Sequence, residues 1–175
     1  EETIPFSYSS KNLGGIQILT KSGTLWGTER ETALIQGNLI HYILGKIQIA
    51  EDLDKVLTHL TQNGDIAKDE TVWLRKTIRQ VIHHPQLEEY FAPGNQSMNE
   101  REIILPNGGL MRPDRVVVER DTISILDYKT GEQRKSHKEQ LQEYARIMEK
   151  MGYAIKNKIL VYITDQVTLE YLNSA

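Results

Sequence analysis

The sequence contains no cysteine among its 175 residues. Disulfide bonds, thiolate zinc sites and cysteine-ligated iron–sulfur clusters are therefore excluded, and any bound metal ion must take oxygen or imidazole ligands. No apolar run approaches the roughly 20 residues that a membrane-spanning helix needs. The opening residues Glu1-Glu2-Thr3-Ile4 lack the pattern of a secretory signal, so the sequence predicts a cytoplasmic location without a membrane partner.

An excess of positive charge is also missing, since the formal net charge is −3. Phosphate backbones are held mainly by lysine and arginine, so this charge argues against a nucleic-acid partner. Net charge is an average, however, and a local run of basic side chains can still form a groove. That run consists of Lys129, Arg134, Lys135 and Lys138.

A composition of 39% hydrophobic and 26% charged residues is typical of one globular domain. We expect an irregular N-terminal segment over residues 1–28, with a short strand at residues 16–20, and a single domain over residues 29–175. Because the sequence does not begin with methionine, we expect it to be a fragment of a longer chain.

Helical spacing dominates the first half of the sequence. Helices are predicted at residues 29–49, 51–61 and 69–83, and Pro85 prevents the last from continuing. Thr28 is the expected N-cap of the first helix. Its apolar stripe consists of Ala33, Gly37, Ile40, Leu44 and Ile47.

Short β-branched segments follow, bounded by turn residues. Residues 102–105, 114–119 and 122–129 are predicted as three consecutive antiparallel strands. A helix at residues 136–151 and strands at residues 158–164 and 167–172 complete the order. This order predicts an α/β fold in which helices flank a mixed central sheet, with an N-terminal helical part.

Two charged side chains extend an apolar row at the end of the third predicted strand. Alternate residues of a strand share a face, so Asp127 and Lys129 point the same way as Ile123 and Ile125. A hairpin through Arg120-Asp121 would pair this strand with the one that begins at Asp114. The sequence therefore predicts that Asp114 and Asp127 lie side by side.

Adjacent carboxylates repel one another unless a proton or a cation intervenes, and Mg²⁺ prefers carboxylates, carbonyls and water. The backbone carbonyl of Tyr128 would supply a further oxygen. Lys129 would orient a water molecule and offset the charge that develops on a phosphate oxygen. This is the chemistry of phosphodiester cleavage.

Plainer interpretations exist for each residue. A lone Asp-x-Lys is usually a solvated strand end, and Asp114 after Pro113 can be a turn aspartate. The combination of aspartates on neighbouring strands with a lysine two positions after the second favours a catalytic site. His83-His84 resembles a metal pair, but neighbouring helical residues diverge by about 100°, so we interpret it as a helix end.

The sequence resembles the nuclease domains of the RecB and AddA helicase–nucleases, which belong to the PD-(D/E)XK superfamily. The resemblance spans about residues 37–163 and rests on motifs in a fixed order. These are Gly37-x-x-x-His41, Arg112-Pro113-Asp114-Arg115, Asp127-Tyr128-Lys129-Thr130-Gly131 and Gln140-x-x-x-Tyr144. The resemblance implies a restriction-endonuclease-like fold and DNA cleavage with Mg²⁺ or Mn²⁺, by an exonuclease or endonuclease of recombination or repair.

The resemblance also implies roles for individual residues. Asp114, Asp127, the Tyr128 carbonyl and His41 would bind the metal, Lys129 would be the catalytic lysine, and Gln140 and Tyr144 would lie near the DNA strand. Glu102 resembles the acid on the preceding strand, although Glu100 is an alternative. Without the resemblance, His41 and Tyr144 would be interpreted as packed residues and Gln140 as an exposed one.

Some features of the family are missing. Many relatives carry an iron–sulfur cluster held by cysteines, which this chain cannot bind. No Gly-x-x-x-x-Gly-Lys phosphate loop occurs, so a helicase would have to lie elsewhere in the parent chain or in a separate subunit. Two rival hypotheses stay open: a catalytically silent module that binds DNA or a partner, and a free-standing restriction-like or resolvase-like endonuclease.

Overall fold

The computed structural model describes residues 12–13, 16–17, 29–105 and 108–172. The chain divides into two units, Glu1–Gln36 and Gly37–Ala175. In the first unit, strands β1 (Asn12–Leu13) and β2 (Ile16–Gln17) pair in antiparallel fashion. The predicted strand at residues 16–20 is thus described only at its start, and Thr28 lies outside the described residues. The predicted domain boundary after residue 28 stays a prediction.

The predicted helices are present. They are α1 (Glu29–Lys46), α2 (Asp52–Gln62) and α3 (Glu70–Ile82), and a short 3₁₀ helix (Glu88–Phe91) follows them. Helix α3 ends immediately before His83, which confirms the interpretation of His83-His84 as a helix end. None of the helices in the described part of the chain is long and apolar enough to cross a membrane.

The second half of the chain supplies the strands and one further helix. The strands are β3 (Gln96–Asn99), β4 (Ile103–Ile104), β5 (Leu110–Met111), β6 (Arg115–Glu119), β7 (Thr122–Lys129), β8 (Ala154–Ile163) and β9 (Val167–Tyr171). The main sheet has the order β3-β6-β7-β8-β9. Strands β7 and β8 are parallel and are connected through helix α4 (Lys135–Lys150), whereas the other neighbours are antiparallel. The predicted α/β fold with a mixed sheet is confirmed.

One predicted strand pairing is wrong. The strand beside β6 is β3, not the segment at residues 102–105. That segment forms β4, which pairs with β5 in a separate small sheet. The sequence of β3, Gln-Ser-Met-Asn, has no apolar alternation because the strand lies half-exposed at the sheet edge, so its pattern did not reveal it.

Helices cover the central strands on both faces of the sheet. One apolar cluster joins α2, α3 and the second half of α1 to Leu126 and Tyr128 of β7. The other cluster joins α4 to Ile123 and Ile125 of the same strand. Strand β7 is therefore buried on both faces, which explains its continuous run of apolar residues.

Candidate active site

The hairpin of β6 and β7 brings the two predicted aspartates to the same end of the sheet. Its register pairs Arg115 with Leu126, and continuing this register sets Asp114 opposite Asp127. The backbone N–H of Tyr128 donates a hydrogen bond to Oδ2 of Asp114 at 2.6 Å. Both aspartates are buried, with 9% of Asp114 and 2% of Asp127 exposed. The juxtaposition that the sequence predicted is therefore present.

Lys129 lies beside Asp127 on the same face of β7, as the alternation predicted. Its Nζ atom is 2.7 Å from Oδ2 of Asp127. Apart from this ion pair, Oδ2 of Asp127 is a buried oxygen with no hydrogen-bond partner among the described residues. A buried carboxylate oxygen in this state retains lone pairs for a cation.

Helix α1 supplies His41. Its Nδ1 atom is 3.2 Å from Oδ1 of Asp114, and its ring stands edge-on to that of Tyr128 with 6.1 Å between the ring centres. Helix α1 approaches the end of β7 closely, because a Cβ atom on Gly37 would overlap Oγ1 of Thr130. The glycine of the Gly37-x-x-x-His41 motif therefore permits the approach that brings His41 to the aspartate.

Glu100, rather than Glu102, is the acid that joins this cluster. The candidate ligand atoms of His41, Glu100 and Asp114 all lie within 4.8 Å of one another. The backbone N–H of Glu100 donates to the carbonyl of Asp114 at 3.0 Å, and Glu100 has a φ of 52°, which L-residues rarely adopt. Glu102 is exposed and lies outside the group. The sequence left Glu100 and Glu102 as alternatives, and the three-dimensional arrangement shows that Glu100 is the one close to Asp114 and His41.

The backbone conformation at Glu100 is accompanied by close packing of its side chain. A Cβ atom on Gly45 of α1 would lie 3.0 Å from Cγ of Glu100. On its outer side, Oε2 of Glu100 is 2.9 Å from Nε of Arg112. The carboxylate is thus held between helix α1 and an exposed arginine.

The acids raise one another's proton affinity. Burial and the charge of Asp114 raise the pKa of Asp127 to about 6, although Lys129 opposes the change. Burial and Asp114 also raise the pKa of Glu100. Burial lowers the pKa of His41, but the hydrogen bond and charge of Asp114, with smaller contributions from the other acids, raise it overall. Negative charge is therefore concentrated here and favours binding of a cation.

Helix α4 extends the site through hydrogen bonds. Nζ of Lys129 donates to Oε1 of Gln140 at 2.8 Å, and Nε2 of Gln140 donates to the hydroxyl of Tyr144 at 2.8 Å. Tyr144 is mostly buried in the apolar cluster below α4, so its hydroxyl is held firmly. The structure therefore connects Asp127, Lys129, Gln140 and Tyr144 in a continuous polar chain.

The predicted basic groove is only partly available. Lys135 lies 3.4 Å from Glu139, and Lys138 pairs with Glu170. Arg134, at the start of α4, is exposed. Acidic partners thus reduce the positive charge that the run Lys129 to Lys138 offers to a phosphate backbone.

The donor set is suited to a hard divalent cation. It combines carboxylate oxygens of Asp114, Asp127 and Glu100 with the imidazole of His41, and such ligands suit Mg²⁺ or Mn²⁺. Asp127 lies beside the compact group of the other three residues, with its Oδ2 atom directed toward Lys129. Fold and site together define an α/β protein that can hold a divalent cation next to a lysine.

Comparison with known proteins identifies the family. A model of the PD-(D/E)XK nuclease superfamily matches residues 5–172, and the chain belongs to this superfamily. Its members are generally nucleases, hydrolases that usually use divalent metal ions. No curated protein matches the chain. The crystal structure of SSO0001 is similar at 21% sequence identity over 80% of each chain, with a TM-score of 0.32.

Proposed function

We propose that the chain is a Mg²⁺- or Mn²⁺-dependent nuclease that hydrolyses phosphodiester bonds of DNA. One observation carries the proposal: two aspartates from neighbouring strands meet a lysine at one end of the sheet, and a buried oxygen of Asp127 pairs with that lysine but has no hydrogen-bond partner among the described residues. A buried acidic cluster costs stability unless it is neutralised. A catalytic cation accounts for a cluster that folding alone does not require.

In this proposal Asp114, Asp127, His41 and the Tyr128 carbonyl bind the metal, and Glu100 replaces Glu102 as the further acid. Nδ1 of His41 is 3.2 Å from Oδ1 of Asp114, so the imidazole and the carboxylate lie close enough together to bind one cation. A bound divalent ion lowers the pKa of water and offsets charge on the phosphate.

Lys129 has a separate task. Its ammonium group, held between Asp127 and Gln140, is placed to orient the attacking water and to stabilise negative charge on the phosphate. Gln140 fixes the direction of the lysine, while Tyr144 anchors the Gln140 amide from below. We propose that the exposed side of Gln140 lies beside the DNA strand.

We further propose that the chain is the nuclease domain of a RecB- or AddA-like helicase–nuclease of recombination or repair, in the cytoplasm. The order of the Gly-x-x-x-His, Asp, Asp-x-Lys and Gln-x-x-x-Tyr motifs supports this assignment. The helicase would belong to the same parent chain or to a separate subunit. Sequencing the surrounding gene region tests it, because a gene with no helicase in or beside it favours a free-standing endonuclease.

A cleavage assay tests the nuclease activity directly. We expect linear and circular DNA to be cut with Mg²⁺ or Mn²⁺ and to remain intact with a chelator. Asp121→Asn, in the turn at the far end of the same hairpin, serves as the matched control for Asp127→Asn at the site. DNA that is bound but left uncut with either metal would contradict the proposal and favour the silent binding module.

A further inference from the structure

Arg115, the residue directly after Asp114, is fully buried, and none of the described carboxylates pairs with it. Its guanidinium is instead held by backbone carbonyls from separate segments. Nη1 donates to the carbonyl of Ile47 at 2.8 Å, and Nη2 donates to those of Gln48 at 2.6 Å and Tyr90 at 2.8 Å. The side chain therefore ties β6 to the end of α1 and to the 3₁₀ helix.

Asn99, the last residue of β3, completes this arrangement. Nη1 of Arg115 donates to Oδ1 of Asn99 at 3.2 Å. The amide nitrogen of Asn99 then donates to the carbonyls of Ile47 at 2.8 Å and Gly45 at 3.3 Å. The two side chains, named here the Arg115–Asn99 pair, thus share the carbonyl of Ile47 and hold the last turn of α1 from two strands.

The segments held by the Arg115–Asn99 pair are those that carry the compact ligand group. Asp114 immediately precedes Arg115, and Glu100 immediately follows Asn99. His41 lies one turn before Gly45 on α1, the helix whose end the pair grips. A shift in any of these bonds would move one member of the His41, Glu100 and Asp114 group relative to the others.

The guanidinium of Arg115 also lies over the ring of Phe91, 4.2 Å from its centre, but apolar packing alone does not explain these residues. A buried cation without a counter-charge costs free energy, and apolar side chains of similar volume often fill such a place equally well. A planar guanidinium can donate in several fixed directions at once, which a lysine or an apolar side chain cannot do. The hydrogen bonds of the Arg115–Asn99 pair therefore set the positions of the segments around it relative to one another, rather than simply filling space in the core.

We propose that Arg115 and Asn99 are positioning residues that set the spacing of His41, Glu100 and Asp114, and thereby the affinity of the site for a divalent cation. This inference rests on the proposed function, since it assumes that these residues bind metal. Partners that orient metal ligands from outside typically change metal affinity by about 10- to 100-fold when they are removed.

Calorimetric titration of the protein with Mn²⁺, beside thermal melting of the metal-free protein, tests the inference. We expect Asn99→Ala to raise the Kd for Mn²⁺ by about 10- to 100-fold. Ser97→Ala is the matched control, because Ser97 lies on the same strand and bonds the same loop through Gln48 without touching the ligand segments. Leu57→Ala, in the core of α2, controls for lost stability. Both controls should keep the wild-type Kd.

Arg115→Lys provides a second variant, which keeps the charge but loses the planar fork. It should also raise the Kd, and the double variant should raise it by less than the product of the single effects, because the two residues share a hydrogen bond. If Asn99→Ala does not fold, Arg115→Lys decides the question.

The outcomes distinguish a failure of the proposed function from a failure of the positioning role. Wild-type protein that binds no Mn²⁺ would overturn the proposed function itself. Wild-type binding combined with an unchanged Kd in Asn99→Ala and Arg115→Lys would overturn only the positioning role. The positioning role would also be overturned if Leu57→Ala weakened Mn²⁺ binding as much as Asn99→Ala at an equal loss of melting temperature.

Discussion

The two faces of strand β7 are equally buried and chemically opposite. Leu126 and Tyr128 point into the cluster below α1, α2 and α3, and both are at most 1% exposed. The other face begins with Ile123 and Ile125 against α4, but its next residue is Asp127, which is only 2% exposed. The first face carries no charged side chain as far as Tyr128, while the second changes from isoleucine to a carboxylate at the same depth.

The difference between the two faces shows that the buried charge at position 127 is not explained by the packing of the strand. An apolar side chain at position 127 would complete the second face at no electrostatic cost, whereas the buried carboxylate has its pKa raised to about 6 by burial and by Asp114. On the first face, burial also raises the pKa of the Tyr128 hydroxyl, which stays neutral. The packing of the strand therefore does not require the charged end of β7, which agrees with the proposed metal site.

The largest expected effect comes from removing the charge on the second face. Asp127→Asn keeps the shape of the side chain but loses a proposed metal ligand, so we expect DNA cleavage to fall by at least about 10³-fold. The melting temperature of the metal-free protein should stay the same or rise, because repulsion with Asp114 disappears. Cleavage rates and calorimetric melting measure both quantities. Near-normal cleavage by this variant would remove Asp127 from the site.

Leu126→Ala is the converse change on the first face. Truncating this fully buried leucine should lower the free energy of unfolding by about 2–5 kcal/mol, because a cavity remains in the apolar cluster. The Kd for Mn²⁺ should not change at a temperature where the variant is folded. Denaturant unfolding and metal titration measure the two effects. A large loss of metal affinity with little loss of stability would contradict the division between the faces.

Much of this contrast could be predicted from local pattern. Strand periodicity of two places Asp127 and Lys129 on one face whatever the fold, and a short turn at Arg120-Asp121 makes pairing with Asp114 the simplest connection. Helical spacing likewise places Gln140 and Tyr144 on one side of α4. These predictions depend on neighbours in sequence, which is why they could be made.

Long-range pairings could not be predicted in the same way. Strand β3 is polar, so its place beside β6 became evident only with the structure, and with it the position of Glu100 beside Asp114. The choice between Glu100 and Glu102 depends on that pairing and on the unusual φ of Glu100. The burial of Arg115 was equally hidden, because nothing in a sequence shows that an arginine has carbonyls from distant segments around it.

A third prediction concerns the pH dependence of stability, because the ionised acids on the charged face of β7 destabilise the metal-free protein. Asp127 binds its proton more tightly in the folded protein, with a pKa of about 6 against an ordinary 3.8. The unfolded state therefore loses this proton first, and the metal-free protein should lose stability as the pH rises from about 4 to about 6. The raised pKa of Glu100 acts in the same direction over this range, and the raised pKa of His41 does so only above its ordinary value of 6.5.

The loss attributed to Asp127 should be at most about 3 kcal/mol, and Mg²⁺ should reduce it above pH 6 by binding the ionised form. Unfolding titrations across this range, with Mg²⁺ and with a chelator, measure the effect. Asp127→Asn serves as the control, because it should flatten the slope. A metal-free wild-type protein that became more stable with rising pH over this window would show that the cluster is not strained.

The smallest effect is expected at Gln140, which lies on helix α4 and accepts a hydrogen bond from Lys129 on the charged face of β7. Gln140→Ala removes the hydrogen bond to Lys129, and a bond of this kind contributes about 0.5–1.5 kcal/mol, so kcat should fall by about 2- to 12-fold. The Kd for Mn²⁺ should not change, because Gln140 contacts the lysine and Tyr144 rather than the acids. Gln142→Ala, an exposed glutamine on the same helix, is the matched control. If Gln140→Ala instead weakened Mn²⁺ binding and left kcat intact, the proposed role of Gln140 in orienting Lys129 would be contradicted.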